Sequence, residues 1–211
     1  MSKIYLLSNQ KYEGVENLEV FKIEFISSVI DLKSYDALII TSKNAIYSIN
    51  SFNQQWKSIP CFAIAKKTAD VIKNEGGTIQ YIGSSGHGND FAKEILPFLK
   101  NKKVLYVRAL KVVSNLVNNL KENNIEIDEL ITYKTVCTNN LNKEIEDNSI
   151  IIFTSPSSIN CFFKKYNWND SLKAIVIGKT TAKYLPSNIK YQISSQTSVE
   201  ECIKLAHSYT F

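Results

Sequence analysis

The chain carries an internal duplication, so any fold proposed for it must accommodate two related halves. Residues 40–46 (ITSKNAI) match residues 153–159 (FTSPSSI), and residues 64–69 (IAKKTA) match residues 177–182 (IGKTTA). Both matches are 113 positions apart, so the spacing between motifs is preserved along with their content. A looser correspondence sets Ile79, Tyr81, Ser84 and Ser85 against Ile189, Tyr191, Ser194 and Ser195.

Each half alternates short apolar runs with amphipathic ones, the pattern of a parallel α/β sheet covered by helices on both faces. Strands are expected at 37–41, 61–65, 78–82, 104–108 and 126–132 in the first half. In the second they are expected at 150–154, 174–178 and 189–193. Ser42 and Ser155 each follow a strand and precede an amphipathic run, which suits a helix N-cap, with Pro156 at the first helical position. Residues 197–201 (TSVEE) offer a further capping box. The second half lacks two strands, and the N-terminal runs 4–8 and 18–22 supply them. One domain is then 1–25 plus 136–211, and the other is the insertion 26–135. The chain crosses between them near 23–30 and 131–138, where two extended segments side by side can pair as a short ladder and act as a hinge.

Composition narrows the function classes. The 211 residues suffice for two small α/β domains, and 44% apolar with 21% charged residues is ordinary for a globular protein. The formal charge of +5 leans toward an anionic partner, but the lysines are dispersed and form no nucleic-acid footprint. The apolar stretch 4–7 is too short for a secretory signal, and no run is long enough to span a bilayer. Cys61, Cys137, Cys161 and Cys202 are widely spaced, without a C-x-x-C or a nearby histidine pair. They are expected to be reduced thiols of a cytoplasmic protein, with no metal.

Six blocks in order resemble the uroporphyrinogen-III synthase family: 37–45 (ALIITSKNA), 63–69 (AIAKKTA), 104–108 (VLYVR), 131–136 (ITYKTV), 151–157 (IIFTSPS) and 174–182 (AIVIGKTTA). The resemblance runs from about Tyr35 to the C-terminus. It implies two similar parallel-sheet (flavodoxin-like) α/β domains, a two-stranded linker and an active site in the inter-domain cleft. Two departures stand out. Residues 9–17 leave little room for the family's usual first helix. Ala65 replaces a frequent glycine whose counterpart, Gly178, is kept; an alanine there disfavours a positive φ.

The resemblance also implies the reaction. Hydroxymethylbilane, a linear tetrapyrrole with eight carboxylates, would close to uroporphyrinogen III with loss of water and inversion of ring D through a spirocyclic intermediate. No cofactor is implied, and the sequence has no P-loop or G-x-G-x-x-G. The linear substrate cyclises unaided to the uninverted isomer, so the enzyme would act mainly by orientation. Helix N-termini favour carboxylates. That points to Thr41, Ser42, Lys43, Thr68, Thr154, Ser155, Ser157, Gly178, Thr180 and Thr181 at the strand-to-helix junctions as substrate contacts, facing one cleft. Each hydroxyl reads equally as a helix cap, and Lys43, Lys66, Lys67 and Lys179 as solvated surface. Tyr133, in the crossing strand, is the candidate proton donor; its alternative is a half-buried tyrosine packing at the hinge. The family further suggests a monomer, in transient contact at most with hydroxymethylbilane synthase, and with neither nucleic acid nor membrane.

Other features carry less. The loop 83–88 (GSSGHG) reads as a surface turn whose amides could also cradle a carboxylate. His87 and His207 pair with no nucleophile, against hydrolase chemistry. Arg108, ending an apolar strand, has either a ligand carboxylate or an internal acid as partner. Two rival classes stay open: a non-catalytic tetrapyrrole-binding module of the same fold, and a nucleotide- or sugar-phosphate-binding two-lobed protein. The chain has no residues left over for the effector domain the first would need, and no phosphate loop for the second.

Overall fold

The structure, a computed structural model, describes residues 2–139 and 143–209. Residues 1, 140–142, 210 and 211 of the domain expected at 1–25 plus 136–211 lie outside the described residues. In chain order the strands and helices are β1 (Ile4–Leu7), β2 (Glu16–Asn17), β3 (Phe21–Phe25), β4 (Ala37–Ile40), α1 (Lys43–Phe52), β5 (Cys61–Ala63), α2 (Lys66–Asn74), β6 (Ile79–Ile82) and α3 (Gly88–Leu99). They continue as β7 (Lys103–Ala109), α4 (Leu116–Glu122), β8 (Glu126–Cys137), β9 (Ile150–Phe153), α5 (Pro156–Phe163), β10 (Lys173–Val176), α6 (Lys179–Ala182), β11 (Tyr191–Ile193) and α7 (Val199–His207). Contacts divide the chain into two compact units, Met1–Lys22 with Thr135–Phe211, and Ile23–Lys134.

In the unit Ile23–Lys134 the sheet order is β3-β8-β7-β4-β5-β6. Successive residues of a strand face opposite sides, and here both sides are apolar. Leu38 and Ile40 join Ile46, Ile49 and Ile72 on the face covered by α1 and α2. Ala37 and Ile39 join Phe91, Ile95 and Leu120 on the face covered by α3 and α4. All of β4 is therefore buried, which is why it reads as an unbroken apolar run.

The other unit repeats this plan with a different connection order. Its sheet runs β11-β10-β9-β1-β2. Tyr5, Leu7, Ile151, Phe153 and Val176 pack on Ile159 and Phe162 of α5. Ile4, Leu6, Ile150 and Ile152 pack on Cys202 and Ala206 of α7. β9, β10 and β11 stand where β4, β5 and β6 stand in the first-described sheet, and β1 takes the place of β7. The duplication is thus structural, with the N-terminal strands completing the second copy.

The second N-terminal strand is not at 18–22. Parallel pairing with β1 falls earlier, at Tyr5↔Glu16 and Leu6↔Asn17, and the Leu18 N–H closes the ladder on the Leu6 carbonyl. The Asn17 side-chain amide donates to the carbonyls of Ser8 and Gln10, which holds the short return in place. Residues 8–15 make this parallel connection with turns and bends and no helix. Gly14 adopts φ +75°, a left-handed turn that admits glycine readily.

β8 runs five residues beyond the expected end at 132, to Cys137, because it acquires a second partner. Ile26 N–H donates to the Thr132 carbonyl and Thr138 N–H to the Val20 carbonyl. Residue numbers fall on one segment as they rise on the other, so β3 and β8 are antiparallel. These are the two segments that cross between the units.

The cysteines depart from expectation. Cys137 and Cys161 form a disulfide, with Cα atoms 5.1 Å apart; only Cys61 and Cys202 are buried free thiols. The pairing joins the end of β8 to α5, a proximity that no spacing motif announces. Burial pushes the Cys61 thiol up to about 12.

A bridge spanning 24 residues removes loop entropy from the unfolded chain equivalent to about 3 kcal/mol. Cys161→Ser should therefore lose about 3 kcal/mol in denaturant unfolding. Reductant should bring the wild type down to the variant's stability while leaving the variant unchanged.

Candidate active site

Each sheet ends, at the carboxyl edge of its strands, in a pair of strand-to-helix junctions. In the unit Ile23–Lys134, Ile40 pairs with Ala63, so α1 and α2 begin side by side. Ser42 caps α1, its Oγ accepting from the Asn44 N–H at 3.2 Å. Lys43 follows, half-buried. Burial, and then the nearby Lys67 ammonium, lower its pKa. A cation at a helix N-terminus, close to a second cation and partly desolvated, is a position at which an anion is favoured. Ala65 precedes α2 without a side-chain cap. Thr68, third in that helix, is only 7% exposed and faces the core. Lys66 is exposed and pairs with Asp70 at 3.0 Å.

Two tyrosines stand beneath the first of these junctions. Tyr133, from β8, is buried, and its burial raises the phenol above its ordinary range. A hydrogen bond with the Ser42 side chain opposes that rise. Tyr106, from β7, is 2% exposed, and its oxygen lies 2.9 Å from Thr41 Oγ1. Burial raises this phenol as well, against the opposing effect of its hydrogen bond with Thr41. Both phenols keep their protons at neutral pH. Arg108 is turned inward: it pairs with Glu129 and donates to the carbonyls of Ala109 and Leu110. Of its two expected alternatives, the internal acid is the one realised.

In the unit containing β9 and β10, Phe153 pairs with Val176, and the two junctions again lie side by side. Ser155 caps α5 in a reciprocal box with Ser158, and Pro156 opens the helix. Thr154 Oγ1 donates to the Leu7 carbonyl at 2.6 Å. Ser157 is half-buried in the first turn. Thr180 is exposed and Thr181, at the position equivalent to Thr68, is 4% exposed. Gly178 precedes α6 at φ 179° and Ala65 precedes α2 at φ −161°. Both are extended, so the alanine at the first junction costs no backbone strain.

The structure therefore gathers Thr41, Ser42, Lys43 and Tyr133 into one cluster. It places Thr154, Ser155, Ser157, Gly178, Thr180 and Thr181 along one sheet edge of the other unit. Sequence reasoning missed Tyr106, which lies inside a quoted block but reads as an ordinary core residue of an apolar strand. The loop 83–88 does cradle a carboxylate, but its own: Glu94 accepts from the Ser84 N–H and hydroxyl, which lower its pKa. A groove of about 640 Å³, lined by Lys3, Gly14, Glu16, Ile150 and His207 among others, opens at the opposite, amino end of β1 and β9. It holds none of the junction hydroxyls. Among the described residues no group of three or more His, Cys, Asp or Glu is arranged to hold a metal ion, and no helix is long and apolar enough to cross a membrane.

Comparison with known proteins gives a consistent result. The model of the family described as uroporphyrinogen-III synthase HemD matches residues 17–204. The crystal structure of uroporphyrinogen-III synthetase from Helicobacter pylori 26695 is 28% identical, with a TM-score of 0.87 over 99% of each chain. A mutant uroporphyrinogen III synthase from the extremely thermophilic bacterium Thermus thermophilus is 15% identical, with a TM-score of 0.58 over 98% of this chain and 99% of that one. It shares the fold. The porphyrin biosynthesis protein HemD of Ruminiclostridium josui is 24% identical over 190 residues, 82% of this chain. The match spans 38% of that relative's length.

The extended backbone at Gly178 yields a direct test. A Cβ added there would lie 3.6 Å from Thr197 Oγ1, an ordinary contact. Gly178→Ala should leave stability unchanged or raise it by up to about 1 kcal/mol, through the smaller entropy of the unfolded chain. Equilibrium denaturation checks this.

Proposed function

The chain belongs to the uroporphyrinogen-III synthase family, and from that membership we propose that it closes hydroxymethylbilane to uroporphyrinogen III in haem biosynthesis, as a cyclising hydro-lyase. The observation that carries the proposal is the full-length likeness, in sequence and fold, to the Helicobacter pylori synthetase. The duplicated junctions support it chemically, because a ligand with eight carboxylates calls for many donors and little acid–base machinery.

In this reading the substrate's terminal C–O bond breaks and the departing hydroxyl leaves as water. Ring D attacks through its substituted carbon to form the spirocyclic intermediate, which reopens and recloses with the ring turned round, and a proton is lost. Tyr133 stays protonated because it is buried, so its phenol can assist the departing hydroxyl as a hydrogen-bond donor. The rest is orientation. Lys43 supplies charge, and Thr41 and Ser42 sit beside it. Ser157 and Thr180 offer hydroxyls at the second set of junctions, with Thr154, Ser155 and Gly178 framing them. Thr68 and Thr181, facing the core, would contribute through the first turns that they anchor. Carboxylates of the substrate are the proposed partners of these groups. The protein is expected to act as a monomer in the cytoplasm.

The deciding experiment supplies hydroxymethylbilane, oxidises the products and separates the isomers. The type III isomer is expected. Accumulation of type I alone would refute the activity, and tight product binding without isomer selection would identify a non-catalytic tetrapyrrole-binding module. Tyr133→Phe should lower kcat by less than about 100-fold, below the usual range for a full general acid, with circular dichroism unchanged.

Lys43 predicts a pH dependence. Its pKa is lowered by burial and by Lys67, so the neutral amine appears at a lower pH than for an ordinary lysine. A neutral amine binds carboxylate more weakly, so KM should climb with rising pH before the ordinary lysine range is reached. Lys43→Met should raise KM at neutral pH and flatten that climb; a KM–pH profile of both proteins tests this.

A further inference from the structure

The two copies of the junction threonine differ in where their protons go. Thr41 and Thr154 are equivalent by the 113-residue repeat. Thr154 Oγ1 gives its proton to the Leu7 carbonyl at 2.6 Å and is satisfied within its own sheet. Thr41 is instead 2.9 Å from the Tyr106 hydroxyl, where either oxygen could donate.

Burial decides between the two directions. Tyr106 is 2% exposed, so its phenolic proton has no water to bond and needs an acceptor in the protein. Glu129, a carboxylate within electrostatic reach, is held by Arg108. Were Thr41 the donor, the phenolic proton would be left buried without a partner. With Tyr106 as donor, both groups are satisfied and the threonine keeps its proton. Thr41 is only part-buried, so that proton can be offered outward.

The pairing registers explain why only one copy is built this way. Ile39 of β4 pairs with Tyr106 of β7, whereas the equivalent Ile152 of β9 pairs with Leu6 of β1. A leucine offers Thr154 no polar neighbour, and that hydroxyl turns to the backbone. We propose that Tyr106 is a positioning residue for Thr41: by donating to Thr41 Oγ1, it commits the threonine proton to a carboxylate of the substrate. A carboxylate only accepts hydrogen bonds, so a hydroxyl whose lone pair is already engaged meets it in the donating sense. This rests on the proposed function, and deepens it by separating an outward donor at Thr41 from an inward one at Thr154.

The test is a double-mutant cycle on KM and kcat with hydroxymethylbilane. Tyr106→Phe should raise KM by about five-fold, the effect of one poorly oriented hydrogen bond, with kcat and the isomer formed unchanged. Thr41→Val should raise KM at least as much, and adding Tyr106→Phe to it should have no further effect. An unaltered KM in Tyr106→Phe, or effects that add in the double variant, would overturn the proposal. Wild-type protein that makes only the type I isomer strikes the proposed function instead, so the two failures are told apart. If Tyr106→Phe does not fold, 3-fluorotyrosine at position 106 keeps the shape and alters the phenol. A changed KM at constant kcat then supports the role, and an unchanged KM refutes it.

Discussion

Both units depend on burying the central strands of a parallel sheet on both faces. β4 and β9 are four-residue apolar runs with every side chain buried. A strand of that kind is stable only with helices packed on each side of it. Parallel neighbours also require every connection to return to the same end. Together these demands put the start of a helix just after the carboxyl ends of β4, β5, β9 and β10. The hydroxyls at 41, 42, 154 and 155 lie at that edge as a consequence of covering the sheet. The donors that can meet a polyanion are in this sense a by-product of core formation, later specialised.

The two copies have diverged in ways that follow from connection order. In one, the strand beside the junction strand is β7, long and followed by α4. In the other it is β1, followed by a return too short for a helix. Tyr106 and Leu6 occupy matching places in these neighbours, and that single difference in polarity redirects a threonine hydroxyl. Divergence after duplication has kept the backbone frame and altered the polar contacts at its edge. Capping was kept too, since Ser42 and Ser155 both bond N–H groups of the helices they begin.

β8 connects several of these features. It carries Tyr133, whose phenol meets the Ser42 cap, and it pairs with β3 where the chain crosses between units. Its last residue is bonded through sulfur to α5. A strand anchored by an antiparallel partner, a disulfide and a buried phenol holds its register tightly, because slipping by one residue would turn every side chain to the other face. Arg108 and Glu129, on adjacent strands, add an ion pair beside it.

The amino-acid sequence by itself determined what is local or periodic. The repeat at constant offset, the buried apolar runs and the serine caps are all set by residues within a few positions of each other, so they were readable, as was the family through six ordered blocks. The N-terminal completion of the second sheet was readable because the repeat left two strands unaccounted for. The short β2 was misplaced, since its register depends on Asn17 reaching the carbonyls of Ser8 and Gln10. What only the tertiary structure decided are contacts between residues far apart in the chain: Thr41 with Tyr106, 65 positions on, Thr154 with Leu7, 147 positions back, and Cys137 with Cys161. A hydroxyl's chemistry depends on which neighbour takes or gives its proton, and that neighbour is chosen by strand order and register, which no local pattern encodes.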